Sequence, residues 1–288
     1  MPTTISAAFE QLKKNLEITE LQKTTISERQ QNVREAIERE LKVLDSFLTG
    51  SYSRNTMIAP LKEADVDIFI VLDVSYYAQD GATRILDRVK SVLKKTYPKT
   101  PDISRNGQAV TIQFTDFLVD VVPGFYRQGG GYLIPNSLTN SWISTDPKKH
   151  VEIISEANAK HGGDFIPLVK MIKAWNKNID HYFRSFHLEV LLYQVLTNVT
   201  ISDYSSASRY LFDKARETIT KQNIDPAGYG GDVGAYINTQ EKISEAQTKF
   251  QIAYDKALKA EEYESNGYII KSMETWKQIF GDYFPSYG

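Results

Sequence analysis

The sequence predicts an α+β chain, with a mixed sheet flanked by helices in the first half and a helical bundle in the second. Three observations carry this expectation. Residues 66–72 form an apolar, β-branched run bounded by polar segments. Residues 110–114 and 117–122 repeat the strand signature after an amphipathic helix, and from residue 150 onward the apolar positions recur at helical spacing. The expected division is therefore a sheet-bearing domain with a long N-terminal helix over residues 1–150 and a helical domain over residues 151–288.

Each element has its own signal. Ser27 with Gln30 suggests a capping box, and Val33, Ile37, Leu41, Leu44 and Leu48 share one helical face, so a long helix is expected to end near Thr49. Gly50-Ser51 then turns the chain toward the strand at 66–72. A second helix over 83–95 carries Ile85, Leu86, Val89, Val92 and Leu93, and closes at Tyr97-Pro98 because proline disfavours helix in the residue before it. Asp116 lies in the turn between the next two strands, and Pro123-Gly124 is expected to end the second. Residues 126–149, rich in Gly, Asn, Ser and Pro, read as loops. Beyond them Leu168, Ile172 and Trp175, then residues 186–196, 237–258 and 265–280, read as helices, interrupted by glycines between Asp225 and Gly234.

Composition narrows the chemistry. With 288 residues and 41% hydrophobic content the chain can build one large or two modest cores. A formal charge of −2 argues against general binding to duplex DNA, which needs a basic surface. There is no cysteine, hence no disulfide, thiolate nucleophile or cysteine-ligated metal. Lys13, Lys14, Glu17 and Glu20 interrupt the apolar positions of the N-terminus, and no stretch has the length of a membrane span, so a cytoplasmic protein without a membrane partner is expected.

The chemistry centres on three aspartates. Side chains alternate along a strand, so Asp65 and Asp67 share a face while Val66 points into the core. Two carboxylates on one face repel unless a cation neutralises them, and oxygen ligands of this kind suit Mg2+ or Mn2+. Asp120 stands alone among Phe117, Leu118, Val119, Val121 and Val122, where an uncompensated charge is costly. If its strand lies beside the first, the three carboxylates can hold two ions about 3.5–4 Å apart. Gly50-Ser51 adds a tight turn at which backbone N–H groups and a hydroxyl can hold a triphosphate. Arg54 and Thr56 could contribute charge and a hydroxyl, although loop polarity alone would also account for them.

At these residues the sequence resembles the polymerase-β-like nucleotidyltransferase superfamily, and within it the cGAS/DncV-like enzymes of bacterial anti-phage signalling. Gly50-Ser51-Tyr52-Ser53-Arg54-Asn55-Thr56 leading to Ala64-Asp65-Val66-Asp67-Ile68-Phe69 resembles the first family motif, and Val119-Asp120-Val121-Val122-Pro123 the second. Trp142 to Pro147, Leu168 to Asn176, and Ser185-Phe186-His187-Leu188-Glu189 resemble segments leading into the family's helical half. The resemblance implies a bilobal enzyme with its active site in the cleft. Asp65, Asp67 and Asp120 would be catalytic and hold two Mg2+ or Mn2+ ions. Gly50, Ser51, Lys173 and Ser185 would bind nucleotide, with ATP and another nucleoside triphosphate as substrates and a cyclic di- or trinucleotide second messenger as product.

Without the resemblance, Lys173 reads as the polar edge of an amphipathic helix, and His187 and Glu189 as residues satisfied inside the bundle. Trp142 and Trp175 read as packing residues. Two departures from the family stand out. The animal enzyme's zinc-binding thumb needs cysteines, so control by double-stranded DNA through that element is not expected. Asn55 replaces a frequent glycine, a mild change because asparagine tolerates left-handed backbone. Alternative functions are nucleotidyl transfer to RNA ends or a small acceptor, and a non-catalytic nucleotide-binding module. A terminal Gly288 is a possible target for conjugation by regulatory proteins of a defence system.

Overall fold

The computed structural model describes residues 2–100 and 102–288. Its chain divides into two compact units, Ile18–Glu152, and Ile153–Gly288 together with the N-terminal residues through Glu17. The helical unit thus includes the first helix, α1 (Ile5–Asn15), as well as the C-terminal part of the chain.

The sheet-bearing unit begins with α2 (Glu20–Glu38), whose capping box is formed by Thr19 and Gln22 rather than by Ser27 and Gln30. Thr19 Oγ1 accepts from the Gln22 N–H at 3.2 Å, and Gln22 Oε1 accepts from the Thr19 N–H at 2.8 Å. The expected long helix to Thr49 is corrected too. After α2 the chain forms the strand β1 (Val43–Thr49), then a single helical turn α3 (Gly50–Ser53) and β2 (Asp65–Leu72). Leu44 and Leu48 keep helical spacing by coincidence. Val43, Phe47 and Thr49 suit a strand, and pairing with β2 from Val43↔Leu72 to Thr49↔Asp67 overrides the weak helical preference.

The remaining elements are α4 (Ala82–Thr96), β3 (Ile103–Asn106), β4 (Ala109–Gln113), β5 (Leu118–Tyr126), β6 (Tyr132–Asn136) and β7 (Ser141–Thr145). The sheet order is β1-β2-β5-β4-β3, with β6 on β5 and β7 on β6; β2 and β5 are parallel and the other pairs antiparallel. Val66, Ile68, Ile70 and Leu72 face a core built with Val33 and Ile37 of α2 and Leu86, Val89 and Leu93 of α4. Their odd-numbered neighbours Asp65, Asp67 and Phe69 therefore occupy the opposite sheet face.

Two further expectations are corrected here. β5 continues through Pro123-Gly124. Pro123 lies beyond the last β5 residue paired with β4, so its missing N–H breaks no bond on that side. Gly124 admits the Phe69 ring, whose Cζ would lie 2.7 Å from any added Cβ. Residues 126–149 are not all loop either, because they contain the β6–β7 hairpin; Gly129, Gly130 and Gly131 turn the chain from β5 into β6 and Asn140 lies in the β6–β7 turn, all with positive φ.

The helical unit contains most of α5 (Pro147–Lys160), then α6 (Phe165–Asn178), α7 (Ser185–Leu196), α8 (Tyr204–Thr218), α9 (Gln240–Ser265) and α10 (Ile269–Phe280). Helix α8, capped by the Asp203 carboxylate on the Ser206 N–H, adds to the helices expected from spacing. Trp175 of α6 is buried among Phe183, Phe212 and Phe250. Phe9 of α1 meets Trp276, Phe280 and Phe284 edge-on, which ties the N-terminal helix to the chain's other end. No helix of the described residues is long and apolar enough to cross a membrane.

Candidate active site

Strand pairing brings two of the three aspartates side by side. In the parallel β2–β5 ladder Asp67 is opposite Asp120, while Asp65 is opposite Leu118, two residues back on the same face. The condition set by the sequence, that the two strands be neighbours, is therefore met. Across β5, Thr111 of β4 is the register partner of Asp120, and its hydroxyl donates to Asp120 Oδ1 at 2.5 Å. A short hydrogen bond of this kind favours the ionised carboxylate and fixes its rotamer.

Gly50 follows Thr49, the β1 residue opposite Asp67, and so starts the turn directly beside that carboxylate. Its φ is +65°, and an added Cβ would coincide with Asp67 Oδ2. Both facts require glycine. Ser51 is half-buried in the following turn, and its carbonyl accepts from the Thr56 and Met57 N–H groups at 2.8 and 3.1 Å. The loop is thereby closed onto itself. Thr56 is fully buried and Arg54 nearly so, so these polar residues turn into the protein. Asn55 has φ +55°, the left-handed geometry expected of it.

The electrostatics suit a hard cation. Loss of hydration raises the pKa of Asp120, partly offset by the Thr111 hydroxyl and reinforced by the charge of Asp65. Asp65 is exposed at the strand's start, yet the protein around it also removes enough water to raise its pKa. Among the described residues neither forms an ion pair with a basic side chain. Carboxylates on one sheet face form an oxygen donor set suited to Mg2+ or Mn2+. Among the described residues, however, no three acidic or histidine side chains converge on a common point. The sheet sets the three aspartates in a row and leaves their carboxylates apart.

The other candidate residues lie in the helical unit. Lys173, on α6, is buried rather than at a solvent-facing edge, and its Nζ is 2.7 Å from Oε1 of the fully buried Glu189 on α7. Three residues earlier, Lys170 is also buried and donates to both oxygens of Glu17 at 2.7 and 2.8 Å. Ser185 is exposed as the first residue of α7. Asp116, read from the sequence as a turn residue, bonds Arg29 Nη2 at 2.9 Å and accepts from the Phe117 N–H. Trp142 packs against Tyr77 and Phe125 and donates to the Ala78 carbonyl. Sequence reasoning missed Thr111. Its signal was available, because a hydroxyl on the strand beside a lone buried aspartate is a natural donor to it.

A mixed sheet backed by two helices, with a glycine turn pressed against one of its row of aspartates, defines the class: this is a nucleotidyltransferase. Residues 3–158 match the model of the Second Messenger Oligonucleotide or Dinucleotide Synthetase domain, and the chain belongs to that family. It is a cyclic oligonucleotide synthase.

Two curated relatives are each 29% identical to it. One is a probable cyclic nucleotide synthase of Bacillus cereus (strain VD146), aligned over 83% of this chain and 81% of the relative. The other is a cyclic AMP-AMP-AMP synthase of Acinetobacter, aligned over 83% and 72%. Among solved structures, CdnC of E. coli MS115-1 with ATP superposes over 98% of this chain and 99% of that chain, with a TM-score of 0.76 at 19% identity. Vibrio cholerae DncV, a cyclic AMP-GMP synthase, does so over 98% and 87% with a TM-score of 0.68 at 14% identity. At these identities the structural likeness bears on the fold alone.

Proposed function

We propose that Asp65, Asp67 and Asp120 are the catalytic carboxylates and hold two divalent cations, Mg2+ or Mn2+, while Gly50 and Ser51 bind the donor triphosphate. The observation that carries this reading is the Asp67–Asp120 register with Gly50 packed on Asp67. When bound, the cations supply charge that activates the attacking hydroxyl and stabilises the leaving pyrophosphate. The chain's own residues do the positioning. The sheet fixes the spacing of the carboxylates, and the Thr111 hydroxyl holds the orientation of Asp120. The self-bonded turn at Ser51 presents its hydroxyl and backbone N–H groups to phosphate oxygens.

In the reaction a 2′ or 3′ hydroxyl of one nucleotide attacks the α-phosphate of another and pyrophosphate leaves. Repetition within the linear product closes the ring. ATP is proposed as one substrate, a reading supported by the cyclic AMP-AMP-AMP synthase relative and by the fold shared with CdnC, whose structure holds ATP. Lys173 and Ser185 are proposed as the helical unit's nucleotide-binding residues, with Glu189 holding the Lys173 ammonium in place.

The deciding experiment is incubation of the full chain with all four ribonucleoside triphosphates and Mg2+ or Mn2+, followed by nuclease digestion and mass analysis. The expected result is a nuclease-resistant cyclic product formed without an added acceptor. The Asp65→Ala, Asp67→Ala double variant should fold and make none. Synthesis retained by that variant would overturn the assignment of the carboxylates.

A further inference from the structure

In the helical unit, α7 starts without the usual support. Arg184 occupies the N-cap position and makes no side-chain capping bond, and the first turn holds no acidic residue. What holds this terminus comes from the loop before α9. The Tyr236 hydroxyl accepts from the Arg184 backbone N–H at 3.0 Å and lies 3.0 Å from His187 Nδ1. The Arg184 guanidinium lies over the Tyr236 ring, 4.5 Å from its centroid. One side chain thus engages the backbone of residue 184, the side chain of residue 184 and the ring of residue 187, on both sides of Ser185.

The hydrogen-bond chemistry is directional. The Tyr236 hydroxyl oxygen accepts from the Arg184 N–H and keeps its own proton, which a neutral His187 can accept at Nδ1. His187 is almost completely buried, and burial holds its pKa down at about 4, so the neutral ring required for this bond is the one present. Tyr236 is itself fixed by its loop. Asp232 Oδ1 accepts from the Asn223 and Gly234 N–H groups, each at 2.9 Å, and the Tyr236 carbonyl accepts from Lys242 Nζ at 3.1 Å. Gly234 lies so close that an added Cβ would come within 2.9 Å of His187 Nε2. The loop is therefore built around the His187 ring and the start of α7.

We propose that Tyr236 is a positioning residue for nucleotide binding, which sets the first turn of α7 so that Ser185 and the adjoining N–H groups meet the nucleotide's phosphates. This rests on the reading of Ser185 as nucleotide-binding. Tyr236 touches no reacting atom and acts through Arg184 and His187.

The test is Tyr236→Phe in the full chain, which keeps the ring under Arg184 and removes both hydroxyl contacts. The expected result is an increase in KM for ATP of about three- to tenfold, as for one or two lost hydrogen bonds, with kcat within about twofold and a folded protein whose melting temperature falls by only a few degrees. Ser185→Ala and the double variant complete a cycle. If Tyr236 acts through this turn, Tyr236→Phe adds little in the Ser185→Ala background. A wild-type KM for Tyr236→Phe while Ser185→Ala raises it overturns the proposal and leaves the reading of Ser185 standing; no effect of Ser185→Ala removes the reading beneath it. Should Tyr236→Phe fail to fold, amide exchange in the wild-type chain decides. A non-hydrolysable ATP analogue should protect residues 184–188 and 234–237 together, and protection of the first segment without the second overturns the proposal.

Discussion

The carboxylate of Asp67 occupies the space in which Gly50 would carry a side chain, so the turn and the metal-site strand are packed atom against atom. Gly50→Ala must either move Asp67 or shift the turn, and it must do so at φ +65°, which disfavours an L side chain. The backbone strain alone costs about 1–3 kcal/mol. The larger effect is on activity, because the displaced group is a proposed catalytic carboxylate. Synthesis should fall at least about a hundredfold, as expected for losing a few kcal/mol of transition-state stabilisation, while thermal melting shows a still-folded protein. Near-wild-type synthesis by Gly50→Ala would contradict this close packing.

Asp120 carries the opposite tension, since lost hydration and the charge of Asp65 both work against its ionised form. Asp120→Asn removes the charge and retains an oxygen that can accept from Thr111. In metal-free buffer at neutral pH the variant should melt at a higher temperature than the wild type, and it should make no product. Thr111→Val withdraws the one hydroxyl bonded to this carboxylate and should lower activity at limiting Mg2+ more than at saturating Mg2+, whereas Thr111→Ser restores it. A lower melting temperature for Asp120→Asn would show that its charge stabilises the fold.

The site was more legible in the sequence than the fold around it, and particular residues explain why. Asp65 and Asp67 must share a face wherever a strand forms, and a lone Asp120 among valines needs a partner in any packing. Strand β1 was hidden because Leu41, Leu44 and Leu48 fit a helix, while the pairing that overrides them comes from β2, some twenty residues away. The β6–β7 hairpin was masked by the glycines of the turn before it and the asparagines at its own turn. The contacts of Lys173 with Glu189 and of Tyr236 with Arg184 depend on how helices and loops meet in space, which no local period encodes.

The pairing of Lys173 with Glu189 separates a structural role from a binding one. Lys173→Met removes the cation 2.7 Å from a fully buried glutamate and should cost about 3–5 kcal/mol in chemical denaturation. Adding Glu189→Gln neutralises that glutamate and should restore much of the loss. The stabilised double variant then tests binding. If Lys173 contacts phosphate, the double variant folds but its KM for ATP is raised about tenfold or more, in line with losing a charge-assisted hydrogen bond. A wild-type KM in a folded double variant would confine Lys173 to the bundle.

His187 predicts how stability responds to acid. Burial lowers its pKa from 6.5 to about 4; the nearby Asp232 charge favours protonation, the Arg184 charge opposes it, and the neutral Tyr236 hydroxyl bonds the ring. Between those two values the unfolded chain binds a proton that the folded chain does not. Stability is therefore fully present above pH 6.5 and is lost as the pH falls toward 4. At about 1.4 kcal/mol per pH unit the loss reaches about 2–3 kcal/mol by pH 4.5. His187→Asn lacks the titrating group and keeps an acceptor for Tyr236, so urea denaturation of both proteins from pH 7.5 to 4.5 isolates this contribution from carboxylates common to both. The wild type should lose its advantage over the variant across that range, and parallel profiles would mean that His187 titrates normally in the folded protein.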